Sequence, residues 1–575
     1  MNRKSGFVRD IWRLITPYWT SKEKFGAWFL LAAVIGLTLA MVYMSVQFNY
    51  WNNDFYNALQ EKKKEDFFPL MGRFALLATI YIAMAVYAFY LNQMLQIRWR
   101  RWMTDDYLKQ WLGNRAYYRM QLTGSPADNP DQRIAEDFKI FVDETLSLSL
   151  GLLKAVVTLG SFVGILWALS GPLVVPFNGS EISIPGYMVW AALAYAIVGS
   201  WITHKIGKSL IGLNFQQQRY EADFRFSLVR FRENAEGVAL HGGERDELRG
   251  FGTRFSGVVD NWWRIMKRQK VLNSFVIGYD QVAIIFPFLV AGNRYFAGTI
   301  QLGGLMQISN AFGQVQGSLS WFISAYNGFA NWKATADRLL GFHQSIVDTQ
   351  NKATDEAGVG QGSNSGPELI LDNVSLTLPN GTALLGASSA SLSAGEHWLI
   401  RGPSGSGKST LFRAIAGIWP FGRGQIGIPG NARMLFLPQK PYLPMGSLRE
   451  VVCYPARTEV ATDDQIRQSL NLVGLSQFAN RLDESQNWAL QLSPGEQQRI
   501  AFARALLQKP DWLFLDEATS ALDESAEGTL YRLLKEHLPT TTLVSIGHRP
   551  SLVALHSRHL ELKETGPGLR VLMPA

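Results

Sequence analysis

Cysteine is almost missing: Cys453 is the only one in 575 residues. An intramolecular disulfide is therefore excluded, and a Cys-based metal site with it. Charge is scarce too, at 18% of residues, against about 25% in an average soluble domain. The scarcity is uneven. Residues 25–46 carry no charged side chain, nor do the stretches between Arg73 and Arg98, Lys154 and Glu181, and Glu181 and Lys205. Residues 271–293 hold a single acid, Asp280, and residues 302–332 hold no charge. Such runs exclude a disordered chain and count against an ordinary soluble enzyme.

Acid is in deficit over the first 346 residues, which hold 35 Lys+Arg and 25 Asp+Glu; the remainder holds 20 and 22. A basic excess can serve nucleic acid. Here the cations cluster between apolar runs, so membrane topology is the expectation and no nucleic-acid partner is expected. A helix crossing the hydrocarbon needs about 20 apolar residues. Any one run taken alone could be a buried core helix. Six in one half of the chain predict six transmembrane helices in a lipid bilayer. The first run follows Arg3, Lys4, Arg9 and Arg13 but is too long for a signal peptide.

The connections orient the spans. Six Lys/Arg precede the first span, eight lie between 98 and 139, and thirteen between 205 and 270. The alternate connections are poor. Lys62, Lys63 and Lys64 sit among Glu61, Glu65 and Asp66; residues 172–187 have no Lys or Arg; the fifth-to-sixth turn has only Arg294. This alternation places both termini in the cytoplasm. The 66 residues of 205–270 read as two legs of about 30 residues, roughly 45 Å each at 1.5 Å per residue. Tips are expected near 129–137 and 235–247, either as transmission arms or as solvated hairpins. The Gly-, Ser- and Asn-rich stretch 350–367 reads as a boundary. The expected division is a membrane domain over 1–346, a linker over 347–367 and a cytoplasmic domain over 368–575.

The second domain carries phosphate chemistry. An apolar strand at 398–400 leads into Gly402, Pro403, Ser404, Gly405, Ser406, Gly407, Lys408, Ser409 and Thr410, followed by an apolar helix. This is G-x-x-x-x-G-K-[ST]. Glycines let backbone N–H groups turn inward around phosphate oxygens, and the helix N-terminus adds its dipole. Lys408 is expected on the β- and γ-phosphates and Ser409 on Mg²⁺. Residues 512–517 (WLFLDE) form an apolar strand ending in Asp516, expected to serve Mg²⁺, and Glu517, placed to polarise an attacking water. Between them, LSPGEQQR at 492–499 opens a helix, where Ser493, Gly495 and the helix N-terminus form a second anion-binding surface; a plain Ser-capped helix is the competing reading.

LSPGEQ between a phosphate loop and LFLDE resembles the signature of ATP-binding cassette proteins. Gln439 (LPQKP) is similar to the cassette Q-loop, residues 520–523 through Asp523 to the D-loop, and His548 (SIGHRP) to the switch histidine. The resemblance implies a catalytic role for Glu517, His548 and Gln439, contact of Ser493, Gly495, Glu496 and Asp523 with nucleotide, and Gln439 beside Mg²⁺. Membrane-half motifs at 51–59 (WNNDFYNAL), 97–102 (IRWRRW), 129–133 (NPDQR) and 219–225 look like the BacA/SbmA-related branch, which includes YddA-like proteins and is similar to peroxisomal subfamily-D transporters. This likeness implies an exporter-type fold, an α-helical membrane domain plus an α/β P-loop ATPase domain. A half-transporter working as a homodimer in the bacterial inner membrane is implied, with the ATPase domain cytoplasmic and each ATP between the phosphate loop of one subunit and the signature of the other. One departure is Leu378, which stands where cassettes often place an aromatic residue against adenine; weakened selectivity for that base is the expectation.

The cargo class comes from the resemblance: hydrophilic or amphipathic solutes such as peptides, cobalamin or bleomycin-like compounds. A lipid or fatty acyl-CoA carrier, and a membrane regulator gated by its cassettes without transport, are the alternatives. A soluble chromosome-type ATPase conflicts with six spans. In the sixth span Gln307, Asn310, Gln314, Ser318, Ser324 and Asn327 recur at helical spacing, so this face lines water or a partner helix. Asp280 within the fifth span is a candidate proton site, cation partner or half of an ion pair.

Overall fold

The computed structural model describes residues 6–122, 129–177, 180–355, 358–456, 461–566 and 569–575. They form two compact units. The first holds Met1–Gln110 and Ala127–Gln344; the second holds Trp111–Pro126 and Ser345–Ala575.

The membrane unit is built on long helices where the apolar runs predict them: Lys24–Gln60, Lys64–Leu112, Phe138–Ser170, Tyr187–Glu233, Glu244–Phe296 and Leu302–Asp355. Among the described residues, four are long and apolar enough to cross a membrane on composition: the first, second, third and fifth. Tyr187–Glu233 and Leu302–Asp355 fall short for a simple reason. Tyr, Trp, Gly, Ser and His204 dilute the apolar segment of one, and Gln, Asn and Gly that of the other. The legs beyond residues 205 and 270 are helical, as expected, and their tip is the short helix Ala235–His241 closed by Gly242 in the left-handed region (φ 61°).

The helix Phe7–Thr20 was not separately expected. Ile11, Leu14 and Tyr18 are its buried residues among those described, spaced three and four apart. Tyr18 stacks on Trp99 at 5.6 Å between ring centroids, so this helix is pinned to the second span. The charge-poor stretch after the third span forms a hairpin, Pro172–Phe177 with Ser180–Pro185.

The expected tip at 129–137 is corrected. Pro130–Gln132 and a π-helical turn, Arg133–Asp137, lead straight into Phe138–Ser170. Asp137 is buried and accepts from Arg133 Nη1 at 2.8 Å and from Arg338 Nε and Nη2 at 2.9 and 2.8 Å. Its charge is spent tying the sixth helix to the third. Among the described residues this leg turns at Gly113–Arg115 and Ala116–Leu122, where Asn114 and Arg115 take positive φ.

At Gln307 and Asn310 the amide face of the sixth helix pairs with another helix. Asn53 Nδ2 donates to Gln307 Oε1 at 2.8 Å, and Asn49 Nδ2 donates to the Gln307 carbonyl and to Asn310 Oδ1, both at 3.2 Å. Asn49 and Gln307 are buried. The asparagines at 49, 53 and 57 thus hold the first helix to the sixth. Ser318 Oγ donates back to the Gln314 carbonyl. The side chains of Ser324 and Asn327 lie outside the described residues.

In the ATPase unit, five parallel strands run in the order Arg558–Gly566, His397–Arg401, Thr542–Ile546, Trp512–Asp516, Met434–Leu437, with Leu569–Pro574 antiparallel at one edge. WLFLD and TLVSI are buried on both faces, which is why they read as unbroken apolar runs. A four-stranded sheet follows the order Gly360–Asn364, Gly422–Pro429, Leu369–Thr377, Ala383–Leu392. The stretch expected as a linker over 347–367 is therefore structured on both sides of 356–357. The sixth helix extends to Asp355, and Gly360–Asn364 adds an edge strand. Trp111–Leu122 packs with this unit: Arg115 Nη1 donates to the Ala416 carbonyl at 2.7 Å, and Leu122 lies against the apolar core under the first sheet.

Candidate functional site

The parallel strands end at one rim, and the site is assembled there from the loops that leave them. The loop after His397–Arg401 carries Gly405 and Gly407 in the left-handed region, at φ 73° and 94°. Gly407 is needed twice over: a Cβ would also come within 3.0 Å of Leu384. The loop closes on itself through Lys408, whose Nζ donates to the carbonyls of Gly402 at 2.9 Å and Pro403 at 2.8 Å. Burial holds the Lys408 ammonium below its usual range, against the pull of Glu517 and Asp516. Ser406 Oγ is buried and has no hydrogen-bond partner among the described residues. A cradle of inward backbone, one orphan hydroxyl and a desolvated ammonium fits a polyphosphate. Thr410 is buried in the following helix, Lys408–Ile415, and Pro403 and Ser404 are exposed on the loop.

Ser409 Oγ donates to Asp516 Oδ1 at 2.8 Å. Burial raises the Asp516 carboxyl above the usual range, and Ser409 opposes that. Two hard oxygens converging beside a phosphate cradle suit Mg²⁺, which keeps much of its shell as water and phosphate.

Glu517 is the most constrained side chain of the group. Its φ is 49°, a left-handed backbone that costs a non-glycine residue on the order of 1 kcal/mol. Its N–H donates to the Ile546 carbonyl at 3.0 Å, which anchors it to the neighbouring strand. Gln439 Nε2 donates to Glu517 Oε2 at 3.1 Å, and His548 Nε2 lies 3.2 Å from Oε1. The Q-loop and the switch loop therefore meet on one carboxylate.

Gln498 escaped the sequence reading. Its Nε2 donates to the Gln439 carbonyl at 3.0 Å and to Ser520 Oγ at 3.1 Å, and its Oε1 accepts from the Ala521 N–H at 3.0 Å. It is 2% exposed, so this one amide wires the signature helix to the Q-loop and the D-loop. The only signal was a second glutamine after LSPGEQ. Arg549, next to His548, donates to the Leu522 carbonyl at 2.7 Å and joins the switch to the D-loop in the same way.

The remaining predicted residues are not drawn into this cluster. Ser493 caps the helix Pro494–Gln508, accepting from the Glu496 N–H at 3.3 Å, while the Glu496 carboxylate accepts from Ser493 N and Oγ at 2.9 and 2.8 Å. Within one chain Glu496 completes the capping box of this helix. Gly495 is small because the D-loop crosses it: a Cβ would meet Leu522 at 3.1 Å. Asp523 caps Glu524–His537 by accepting from the Ala526 N–H at 2.7 Å.

The chain matches the family model for ABC transporter transmembrane region 2 over residues 11–296 and that for the ABC transporter ATPase over 385–520. It is 35% identical to the inner membrane ABC transporter ATP-binding protein YddA of Escherichia coli K12, over 94% of this chain and 94% of that one. The chain belongs to the ABC transporter family. It is also 27% identical to the lysosomal cobalamin transporter of Homo sapiens, covering 98% of this chain and 95% of that protein. Its fold matches the solved structure of a bacterial Atm1-family ABC exporter with ATP bound, at a TM-score of 0.68, 19% identity and 94% coverage of each chain. As an ABC transporter it fuses a helical membrane domain to an ATPase domain that binds and hydrolyses ATP to drive transport.

Proposed function

We propose that two copies of this chain form an inner-membrane pump, with the ATPase domains and both termini in the cytoplasm, that moves hydrophilic or amphipathic solutes. The observation that carries this reading is the meeting of Gln439, Glu517 and His548 beside the Lys408 loop, while Ser493 and Gly495 present their helix N-terminus elsewhere. One chain holds the hydrolytic half of a site and offers the capping half to its partner.

The residues divide the work. Lys408 leaves its loop carbonyls for the β- and γ-phosphates, and the inward N–H groups bind the rest of the chain of phosphates. Ser409, Asp516 and Gln439 would hold Mg²⁺, which when bound would supply positive charge beside the transferring phosphoryl group. Glu517 accepts a proton from the attacking water, and Gln439 and His548 aim its two oxygens. ATP favours the closed dimer because only there does it touch both halves; that differential affinity moves the equilibrium. The exposed tip around Leu240, 79% exposed, and the docked turn at Arg115 carry closure to the long legs.

Leu378 bears on base choice. It is half-buried against the core of the small sheet, so it offers an aliphatic edge where stacking would supply about 1–3 kcal/mol. Turnover with GTP is expected within about threefold of turnover with ATP, since an aliphatic contact such as Leu378 reads no base edge and holds either purine alike. Strict ATP selectivity in a coupled phosphate-release assay would refute this.

Asp280 supports a polar cargo. It is exposed on the fifth helix next to Tyr279, whose ring stacks on Tyr195 at 4.4 Å. A carboxylate kept at membrane depth suits a hydrophilic path. Proteoliposomes of known sidedness, offered labelled peptides, cobalamin and acyl-CoA, test the assignment. ATP-dependent vectorial movement of the peptides or cobalamin is the expected result. Movement of acyl-CoA alone, or turnover without movement of any of them, would overturn it.

A further inference from the structure

One cation cluster of the membrane unit has no role in ATP chemistry. It lies where the legs Tyr187–Glu233 and Glu244–Phe296 leave their apolar segments. A groove of about 660 Å³ runs there between the two helices, lined by Ser209, Gln216, Arg264, Lys267, Arg268 and Val271 among others. Among the described residues no acid lines it. Arg264, Lys267 and Arg268 are exposed and form no ion pair among the described residues. The two helices are tied together beside the groove. Leu210 and Ile265 are buried beside it, and Asn261 Nδ2 bridges the helices to the Leu213 carbonyl at 2.9 Å and Gln217 Oε1 at 3.0 Å.

Position and composition say what belongs in it. Lys205 and Lys270 mark the ends of the uncharged stretches. Arg264 and Gly212 lie within about 10 Å of those ends along their helices, at the depth of the headgroups once the long side chains reach back toward the apolar edge. Aromatic residues frame the site: Trp201, Trp262 and Trp263 are 62%, 52% and 56% exposed, and Lys205 Nζ sits 5.2 Å from the Trp201 ring centroid. Exposed tryptophans beside exposed cations are the composition of a membrane interface. Val271, half exposed at the inner end of the groove, gives an acyl chain somewhere to lie.

We propose that this groove binds the headgroup of an anionic phospholipid of the cytoplasmic leaflet, with Arg264, Lys267 and Arg268 on the phosphate and its chains along Val271. The lipid bridges the two legs that carry closure of the ATPase domains. The proposal rests on the cytoplasmic placement of those legs, so its test includes sidedness.

The full-length protein in nanodiscs of phosphatidylcholine with increasing phosphatidylglycerol is the sample, and retained phosphatidylglycerol per dimer is the readout. Replacing the three cations by Gln (Arg264→Gln, Lys267→Gln, Arg268→Gln) should raise the half-saturating mole fraction about tenfold or more, since each cation near an anionic surface contributes severalfold. The charge-keeping variant Arg264→Lys/Arg268→Lys should bind as the native protein does. Unchanged binding in the Gln variant overturns the proposal. Competition by millimolar inorganic phosphate would also overturn it, assigning the groove to a free anion. In a Cys453→Ser background, Lys267→Cys should react with an impermeant maleimide only in inside-out vesicles. Reaction from the other face would refute the topology instead, and a Lys267→Cys disulfide across the dimer would make the groove an interface between copies.

Discussion

Glu517→Gln should lower ATP hydrolysis by about 10²–10⁴-fold, the usual worth of a positioned general base, while ATP still binds and holds the dimer closed. The amide keeps the size of the side chain and one oxygen for Gln439 or His548, but it cannot take a proton. The loop, Lys408 and Ser409 are untouched. Steady-state phosphate release, nucleotide binding and dimer cross-linking check the three parts separately. A hydrolysis rate like that of the native protein would remove Glu517 as the base. Loss of nucleotide binding would mean that the left-handed turn at 517 had been disturbed.

Asp137→Asn should destabilise the membrane unit by about 3 kcal/mol, the low end of the cost of breaking a buried ion pair. The low end applies because the Arg338 side chain is 37% exposed and partly rehydrates, while that of Arg133 is only 12% exposed. The neutral amide leaves both guanidiniums facing one site without compensation. The midpoint of thermal inactivation in detergent should fall by roughly 4 °C for a unit of this size. A midpoint within about 1 °C of the native value would show that the pair is replaceable by water at this depth. Arg338→Gln on the Asp137→Asn background should restore part of the loss, because it removes one of the stranded cations.

The two substitutions also mark what a reader of the sequence could and could not see. Glu517 was legible because its chemistry is local: strand, paired acids and phosphate loop are all contiguous motifs. The long helices were legible because hydrocarbon selects on composition alone. Asp137 was misplaced at a tip because its two arginines come from positions 133 and 338, and the second is invisible without the fold. The amides of the sixth helix were ambiguous for the same cause, since Asn49 and Asn53 lie more than 250 positions from Gln307. Gln498 was missed although it stands inside a recognised motif, because what distinguishes it is three simultaneous bonds to other loops. Gly360–Asn364 looked like a tether because glycine, serine and asparagine have low strand preference; pairing with Gly422–Pro429 overrides that preference at a sheet edge.

Arg115 and Leu122 give the molecule an unusual seam. The piece of polypeptide that finishes the motor's apolar surface is encoded some 240 positions before the motor begins. A soluble fragment begun at residue 368 would lack that cover and its outermost strand together, leaving part of the sheet's apolar core wetted. Genetic dissection of the halves therefore damages the engine first, and swapping cassettes between relatives demands that residues 111–122 travel with them.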